Sequence, residues 1–319
     1  MERAVRIYRY GPPEVLTIEP IETPAPGPGE ALIWHSAIGL NFVEVYFRRG
    51  TFQVAVFPAV LGNEGAAASR RWGSVSAASV GDRVVYADGP LGAYATARTC
   101  LVRIPDGISD AQAAASYLRG VTARMLLKEV ALLQRDDTVL FHAAAGGVGL
   151  LFAQWARALG VRVIGTVSNE VKAAAARRAG CVEVINYVKE DFVARVRGLT
   201  GGEGVTAVFD SIGRDTFLKS LEALRPRGVL AAFGQASGSP PAFDPFLLAP
   251  KALHITWPGR HVYTASRQQL ETSAADLFDA IREGILDVGP TRTYAFDDIA
   301  LAHRDLESRQ IIGAAVIEP

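Results

Sequence analysis

Thr138-Val139-Leu140-Phe141-His142-Ala143-Ala144-Ala145-Gly146-Gly147-Val148-Gly149-Leu150 decides how the middle of this chain folds. A β-prone run ends in a cluster of small residues, and an apolar helical run to Leu159 and Gly160 follows at once. Residues 144–149 match the dinucleotide-binding spacing G-x-G-x-x-G, with Ala144 in place of the first glycine. A bare Gly146 lets backbone approach a pyrophosphate, and a bare Gly149 lets helix and strand pack closely. The amides of Gly147 and Val148, at the helix N-terminus, donate to the anion. Such a spacing also arises in plain packing turns. Its context favours the cofactor loop, because Gly160-Val161-Arg162-Val163-Ile164 supplies the second strand of a βαβ unit.

Outward from this unit, strand and helix alternate. Strands are expected at Val139 to His142, Val161 to Val167, Glu183 to Asn186, Ala207 to Asp210 and Gly228 to Phe233, with a sixth at His254 to Trp257. Helices begin near Gly147, Asn169, Glu190 and Thr216. That alternation predicts a parallel sheet. The first 110 or so residues instead read as an irregular, mostly β domain. Val5 to Tyr8, Ala31 to Trp34 and Arg83 to Tyr86 are short β-prone runs, separated by Gly11-Pro12-Pro13 and Pro24-Ala25-Pro26-Gly27-Pro28-Gly29. After about Tyr263 come a helix, Ser266 to Glu283, a strand near Thr293 to Phe296, a short helix and a last strand, Ala314 to Ile317. These C-terminal strands are expected to return to the first domain.

The end of the second strand selects the cofactor. An NAD binder places an acidic residue about 20 positions past the glycines to hold the ribose 2'-hydroxyl. Here the strand ends at Val167-Ser168-Asn169, and the next charges are Glu170 and Lys172. Small polar groups with a nearby lysine suit a 2'-phosphate, so NADP(H) is favoured over NAD. The competing reading is that Lys172 merely solvates the first turn of its helix.

The 319 residues suffice for about two domains. Hydrophobic residues make up 49% and charged residues 21%, the balance of a soluble globular protein. Lys plus Arg (33) equals Asp plus Glu (33), so no global positive field attracts nucleic acid or anionic lipid. Cys100 and Cys181 are far apart and in no CxxC arrangement, which excludes a disulfide framework and reads as a reducing compartment. The N-terminus, Met1 to Gly11, lacks the unbroken apolar core of a secretory signal. The longest apolar stretch, Ala143 to Ala153, falls short of the roughly 20 residues a membrane helix needs. A cytoplasmic protein without membrane contact is expected.

The run Phe141 to Gly149, taken with Ile185-Asn186-Tyr187, Asp210-Ser211-Ile212-Gly213, Phe233-Gly234-Gln235 and Gly39-Leu40-Asn41-Phe42, closely resembles the NADPH:quinone oxidoreductases. These form the zinc-free, zeta-crystallin-like branch of the medium-chain dehydrogenase/reductase superfamily, and the resemblance spans essentially the whole chain. It implies an α/β protein in which a GroES-like, mostly β catalytic domain (1–120 and 264–319) is split around a Rossmann domain with a doubly wound parallel sheet (121–263). It also implies a homodimer through the Rossmann sheets and NADPH in the cleft between domains. Matched by position, Gly147 and Val148 face the pyrophosphate, beside the bare Gly146 of the motif, Ser168 and Lys172 the 2'-phosphate, and Tyr187 the adenosine end. Ser211, Phe233, Gly234, Gln235 and Pro258 line the rest of the groove; for Phe233 and Pro258, core packing is the competing reading. Asn41, Tyr46 and Thr122 sit by the nicotinamide as candidate catalytic residues, and Arg309 reaches the cofactor from the C-terminal segment.

Zinc-dependent relatives carry a cysteine in the segment matching Gly39 to Phe42 and a histidine after the glycine of Gly62-Asn63-Glu64. This chain has Asn41 and Asn63 there, and His35, His142, His254, His261 and His303 show no paired ligand spacing. No metal is expected. The run Gly65-Ala-Ala-Ala-Ser-Arg-Arg-Trp-Gly73 departs from the family, and its arginines and tryptophan fit the expected strand poorly.

The chemistry implied is direct reduction of a small-molecule quinone by the nicotinamide, as hydride or single electrons. Asn41, Tyr46 or Thr122 would stabilise the developing negative charge. Reduction of an enone or 2-alkenal, and non-catalytic NADPH binding, are the alternatives.

Overall fold

The computed structural model describes residues 2–23, 25–26, 31–72, 81–87, 94–97 and 100–319. The chain divides into two compact units. One comprises Met1–Arg119, Ser266–Phe278 and Val288–Pro319, and the other Gly120–Ala265 with Asp279–Asp287. The last segment lies in a stretch expected with the first unit. It is tied to the second by the N–H of Asp287, which donates to Gln154 Oε1 at 2.7 Å.

In the second unit, six parallel strands stand in the order Glu183–Asn186, Arg162–Val167, Thr138–Phe141, Val205–Asp210, Leu224–Ala232, His254–Thr256. The chain starts in the middle, builds outward to one side, then returns and builds to the other. The switch point therefore falls between Thr138–Phe141 and Val205–Asp210, where open α/β sheets bind ligands. The strands are apolar on both faces because helices cover both. Leu140, Ile164, Ile185, Val208 and Leu230 pack with Phe192, Val196, Phe217 and Leu221 in one core cluster. Phe141, Phe152 and Phe209 form an aromatic group with centroids 4.6 to 5.8 Å apart. The fifth strand begins at Leu224, earlier than the expected Gly228. Its register jumps from Val205↔Leu224 to Ala207↔Val229, an irregularity that absorbs Pro226.

In the first unit, Glu2–Ile7 pairs with Thr17–Ile21 and Ala59–Val60 in a small antiparallel sheet. A larger sheet runs Arg292–Ala295, Ala315–Glu318, Ala31–Leu40, Glu64–Trp72, Arg83–Ala87, Val102–Arg103, and Tyr94–Ala97 also pairs with Ala31–Leu40. The antiparallel pairing of Ala315–Glu318 with Ala31–Leu40 brings the C-terminus back, as expected. The atypical stretch does form a strand, Glu64–Trp72, but with two breaks of register. Pairing steps from Leu32↔Arg71 to Ile33↔Ser69 and from His35↔Ala67 to Ala37↔Ala66. Each step leaves one residue out of the pairing, Arg70 and Ser36. Gly73 lies outside the described residues.

The C-terminal helix Ile299–Glu307 is held to the helix Phe42–Arg49 by a fully buried arginine. Arg48 Nε donates to Gly11 O (3.1 Å), Nη1 lies 3.1 Å from His303 Nδ1, and Nη2 pairs with Glu307. Burial, reinforced by Arg48, lowers the His303 pKa to about 3, so the ring stays neutral and accepts from the guanidinium.

Helix Phe42–Arg49 starts with a capping box. The Glu44 carboxyl accepts from the N–H of Asn41 at 2.7 Å, while the Asn41 side chain turns back on the N–H of Glu44. Glu44 is 1% exposed, and its Oε1 has no hydrogen-bond partner among the described residues. Burial raises its pKa to about 8, with repulsion from Glu64 adding to the shift. The folded protein thus keeps a proton that the unfolded chain releases near pH 4.5. The resulting stability is complete below that pH and is lost as pH rises toward 8.

Two measurements test these features. Glu44→Gln, which holds the cap without ionising, should raise Tm at pH 8 by about 2–4 °C for each kcal/mol relieved, and should change it little at pH 5. A Cβ at Gly165 would lie 2.6 Å from Ala144 Cβ and 3.0 Å from Cys181 Sγ. Gly165→Ala should therefore destabilise the chain by about 1–3 kcal/mol, and adding Ala144→Gly should restore part of the loss in denaturant melts.

Candidate active site

The expected cofactor residues of the second unit follow the carboxyl ends of all six strands. Gly146, Gly147 and Val148 follow Thr138–Phe141, and Ser168 and Lys172 follow Arg162–Val167. Tyr187 follows Glu183–Asn186, and Ser211 follows Val205–Asp210. Phe233, Gly234 and Gln235 follow Leu224–Ala232, and Pro258 follows His254–Thr256. A parallel sheet puts every strand's carboxyl end at one edge, so residues scattered over more than 100 positions share that edge.

The glycine loop is held by backbone bonds. Ala144 N–H donates to Thr166 O (3.1 Å) and Gly146 N–H to Ala143 O (2.9 Å), with Ala143 in the left-handed region at φ 56°. Gly146 is the N-cap of the helix Gly147–Ala158 and brings no capping side chain. The first-turn amides of Gly147 and Val148 are therefore donors without a helical acceptor. A Cβ on Gly149 would come 2.7 Å from Ala144 O, so only glycine permits the close seat of helix on loop.

The neighbouring loop is organised by Asp210, which is wholly buried. Its Oδ1 accepts from the N–H groups of Ile212 (2.7 Å) and Gly213 (3.1 Å), and its Oδ2 from Thr216 Oγ1 (2.7 Å). The bonded turn presses Ser211 against Gly234, where a Cβ would lie 2.9 Å from Ser211 O. Ser220 Oγ donates to Thr216 O (2.9 Å) and lies 3.4 Å from Asp210 Oδ2. His142 bridges onward, with Nε2 3.0 Å from Ser220 Oγ and Nδ1 2.9 Å from Thr166 Oγ1. Burial lowers its pKa. These bonds make His142 a brace between the two loops that flank the switch point.

At the end of the second strand, Asn169 Oδ1 caps the helix Glu170–Ala179 by accepting from Lys172 N–H (2.9 Å), and Lys172 Nζ lies 3.4 Å from Ser168 Oγ. Ser168 and Lys172 are thus brought together. Tyr187 is 38% exposed, while Pro258 is buried and Phe233 half-buried, the latter 5.8 Å from Phe141. Thr122 is buried in the helix Asp110–Met125. Backbone donors at a helix start, a bare loop, and a lysine beside a serine at the second strand fit a phosphorylated dinucleotide.

Asn41, Tyr46 and Arg309 belong to the first unit. Tyr46 lies between Phe42 (5.3 Å) and Phe52 (5.1 Å), both edge to face. Arg309 is exposed, at φ 61°, two residues past its helix. The amide of Asn41 is held from below, where Nδ2 donates to Glu64 Oε2 at 2.7 Å. Glu64 Oε1 accepts from Leu118 N–H (2.6 Å), and Arg119 Nη1 stands 3.8 Å from Oε2. Arg119 also donates to Ala115 O (2.7 Å) and Leu40 O. All three side chains are buried.

Glu64, Arg119, Glu44 and Asp210 hold candidate residues or the turns that carry them, and the reading of the sequence did not select them. Asp210 stood inside a quoted motif; Arg119 and Glu64 are 55 positions apart and carry no joint spacing signal. Among the described residues, no group of three or more His, Cys, Asp or Glu is placed to hold a metal ion. His35, His142 and His303 are buried and bonded, His35 to Tyr86 at 2.6 Å, whereas His254 and His261 are exposed.

Two family models match: "Alcohol dehydrogenase GroES-like domain" over residues 27–128 and "Zinc-binding dehydrogenase" over 147–280. A quinone oxidoreductase of Pseudomonas aeruginosa is 42% identical, each chain covered in full. A 2-haloacrylate reductase of a Burkholderia species is 40% identical over 100% of this chain and 99% of its own. The crystal structure of the Escherichia coli quinone oxidoreductase complexed with NADPH superposes with a TM-score of 0.95 at 38% identity, covering 99% of this chain and 100% of that one. Fold, loop chemistry and full-length identity coincide, and the chain belongs to the quinone oxidoreductase family of the medium-chain dehydrogenase/reductase superfamily.

Proposed function

We propose that this chain is an NADPH-dependent quinone reductase. The observation that carries the reading is the carboxyl edge of the parallel sheet. There an amide-lined glycine loop suits a pyrophosphate, and the paired Ser168 and Lys172 suit a 2'-phosphate. NADPH, when bound, supplies the reducing equivalents. The protein's own residues bind it, orient it and exclude water.

Gly147 and Val148 hold the pyrophosphate, Tyr187 lies along the adenosine, and Ser211, Phe233, Gly234, Gln235 and Pro258 line the groove. Arg309 adds a cation from the C-terminal segment. Phe42, Tyr46 and Phe52, packed edge to face, give the acceptor apolar aromatic neighbours. The amide of Asn41 and the hydroxyls of Tyr46 and Thr122 donate to the acceptor oxygen as it gains negative charge.

Zinc has no part in this reading. The positions that hold thiolate and imidazole in zinc-dependent relatives carry Asn41 and Asn63, and the Asn41 amide is committed to Glu64. The reading includes a homodimer through the Rossmann sheets. Strand His254–Thr256 ends the six-stranded sheet, and Phe246, Leu247, Trp257 and Val262, near it in sequence, are exposed. A cytoplasmic setting fits two free cysteines. Among the described residues no helix is long and apolar enough to cross a membrane.

An acceptor screen tests the proposal. NADPH oxidation with 1,4-benzoquinone or 9,10-phenanthrenequinone should exceed that with a 2-alkenal or 2-haloacrylate. The reverse order would select the alkene-reductase reading, which the 40% identity to the 2-haloacrylate reductase motivates. Tight NADPH binding without any turnover would point to a non-catalytic role. Lys172→Ala should weaken NADPH about tenfold or more, as loss of a charged hydrogen bond does, and NADH hardly at all. Equal losses in calorimetry would remove the 2'-phosphate role.

A further inference from the structure

Asn41 is a neutral amide set among charged, buried groups, and its hydrogen bonds are unequal in kind. The Glu64 carboxylate takes one hydrogen of Nδ2 at 2.7 Å. The capping box turns the Asn41 side chain toward the N–H of Glu44. A carboxylate only accepts, and a backbone N–H only donates, so the two ends of the amide cannot be exchanged. The remaining hydrogen of Nδ2 is then a donor whose direction is set before any ligand arrives, which is the arrangement that stabilises developing charge.

Glu64 is itself held from three sides, by Leu118 N–H at 2.6 Å, by Asn41 Nδ2, and by the guanidinium of Arg119. Arg119 in turn is anchored on the carbonyls of Ala115 and Leu40. We propose that Glu64, braced by Arg119, is a positioning residue that fixes the sense of the Asn41 amide and so presets its second Nδ2 hydrogen as the donor to the reduced oxygen of the acceptor. The proposal rests on the quinone-reductase reading above and adds to it a residue that touches neither acceptor nor cofactor.

The hydrogen-bond count makes the role testable. In Glu64→Gln, the introduced side chain has one acceptor oxygen where the carboxylate has two. The Leu118 N–H cannot turn round, so the oxygen stays with it, and the new NH2 group opposes Asn41 Nδ2. Asn41 must then flip, losing its cap, or lose its anchor; either way the preset donor is gone. The double variant Asn41→Asp/Glu64→Gln restores an acceptor at position 41 for the new NH2 group, restores the cap, and keeps the charge that balances Arg119. It carries no second donor.

The wild type and both variants are compared in denaturant stability, NADPH affinity by calorimetry, and kcat with 1,4-benzoquinone. In Glu64→Gln, kcat should fall on the order of 100-fold, with NADPH affinity changed less than about threefold. In the double variant, stability should return and kcat should not. The side-chain amide signals of Asn41, assigned by their loss in Asn41→Asp, should include one proton shifted downfield and protected from exchange in the wild type. In Glu64→Gln that shift should vanish.

Recovery of kcat together with stability in the double variant would show a merely structural Glu64 and overturn the proposal. So would a Glu64→Gln enzyme within about twofold of wild-type kcat. Should Glu64→Gln fail to fold, the wild-type amide signals decide: an unshifted, freely exchanging Asn41 amide overturns the proposal. A wild type that binds NADPH but reduces no quinone sinks the functional reading instead, and the amide signals still show whether Glu64 fixes Asn41.

Discussion

Everything at the carboxyl edge depends on one steric constraint, that backbone must come closer to backbone and to an anion than side chains normally allow. The helix Gly147–Ala158 sits directly on the loop that precedes it, and at Gly149 a single methyl would meet the Ala144 carbonyl at 2.7 Å. Ala144 carries a Cβ where the fingerprint has glycine, and the structure shows why this is tolerated. The residue facing it on the next strand, Gly165, has none, and a Cβ there would lie 2.6 Å from that of Ala144. The bare position facing the loop lies on the strand, which leaves room for the Ala144 methyl.

Two buried carboxylates hold the rest of the machinery in place. Asp210 gathers two backbone amides and a threonine hydroxyl in the second unit, and Glu64 gathers a backbone amide, an asparagine amide and an arginine in the first. A buried carboxylate is tolerated only when donors surround it, so each becomes a rigid node rather than a weak point. Glu44 is the contrast. It lies beside the same cluster with one oxygen unpartnered, and it keeps its proton well above the usual carboxylate range.

The expected fold was legible because its signals are local. Strand and helix alternate at the right lengths between 138 and 256, and the family motifs fall at the strand ends. The stretch 65–73 was harder to read. An alternation rule assumes constant register, and the strand Glu64–Trp72 breaks register twice against its partner.

The candidate site divides along the same line. Gly146 and Ser168 could be named as candidates without coordinates from residue type and spacing, and Asn41 from the family resemblance. The partners that orient them could not. Arg119 pairs with Glu64, which in turn holds Asn41, and His142 meets Ser220, beside Asp210, across 78 positions of chain. Sequence alone determined the architecture and the class of cofactor, since periodicity and glycine placement act over a few residues. Tertiary structure alone decided which buried polar groups pair, because hydrogen bonds between distant segments depend on distances that exist only after the chain has folded.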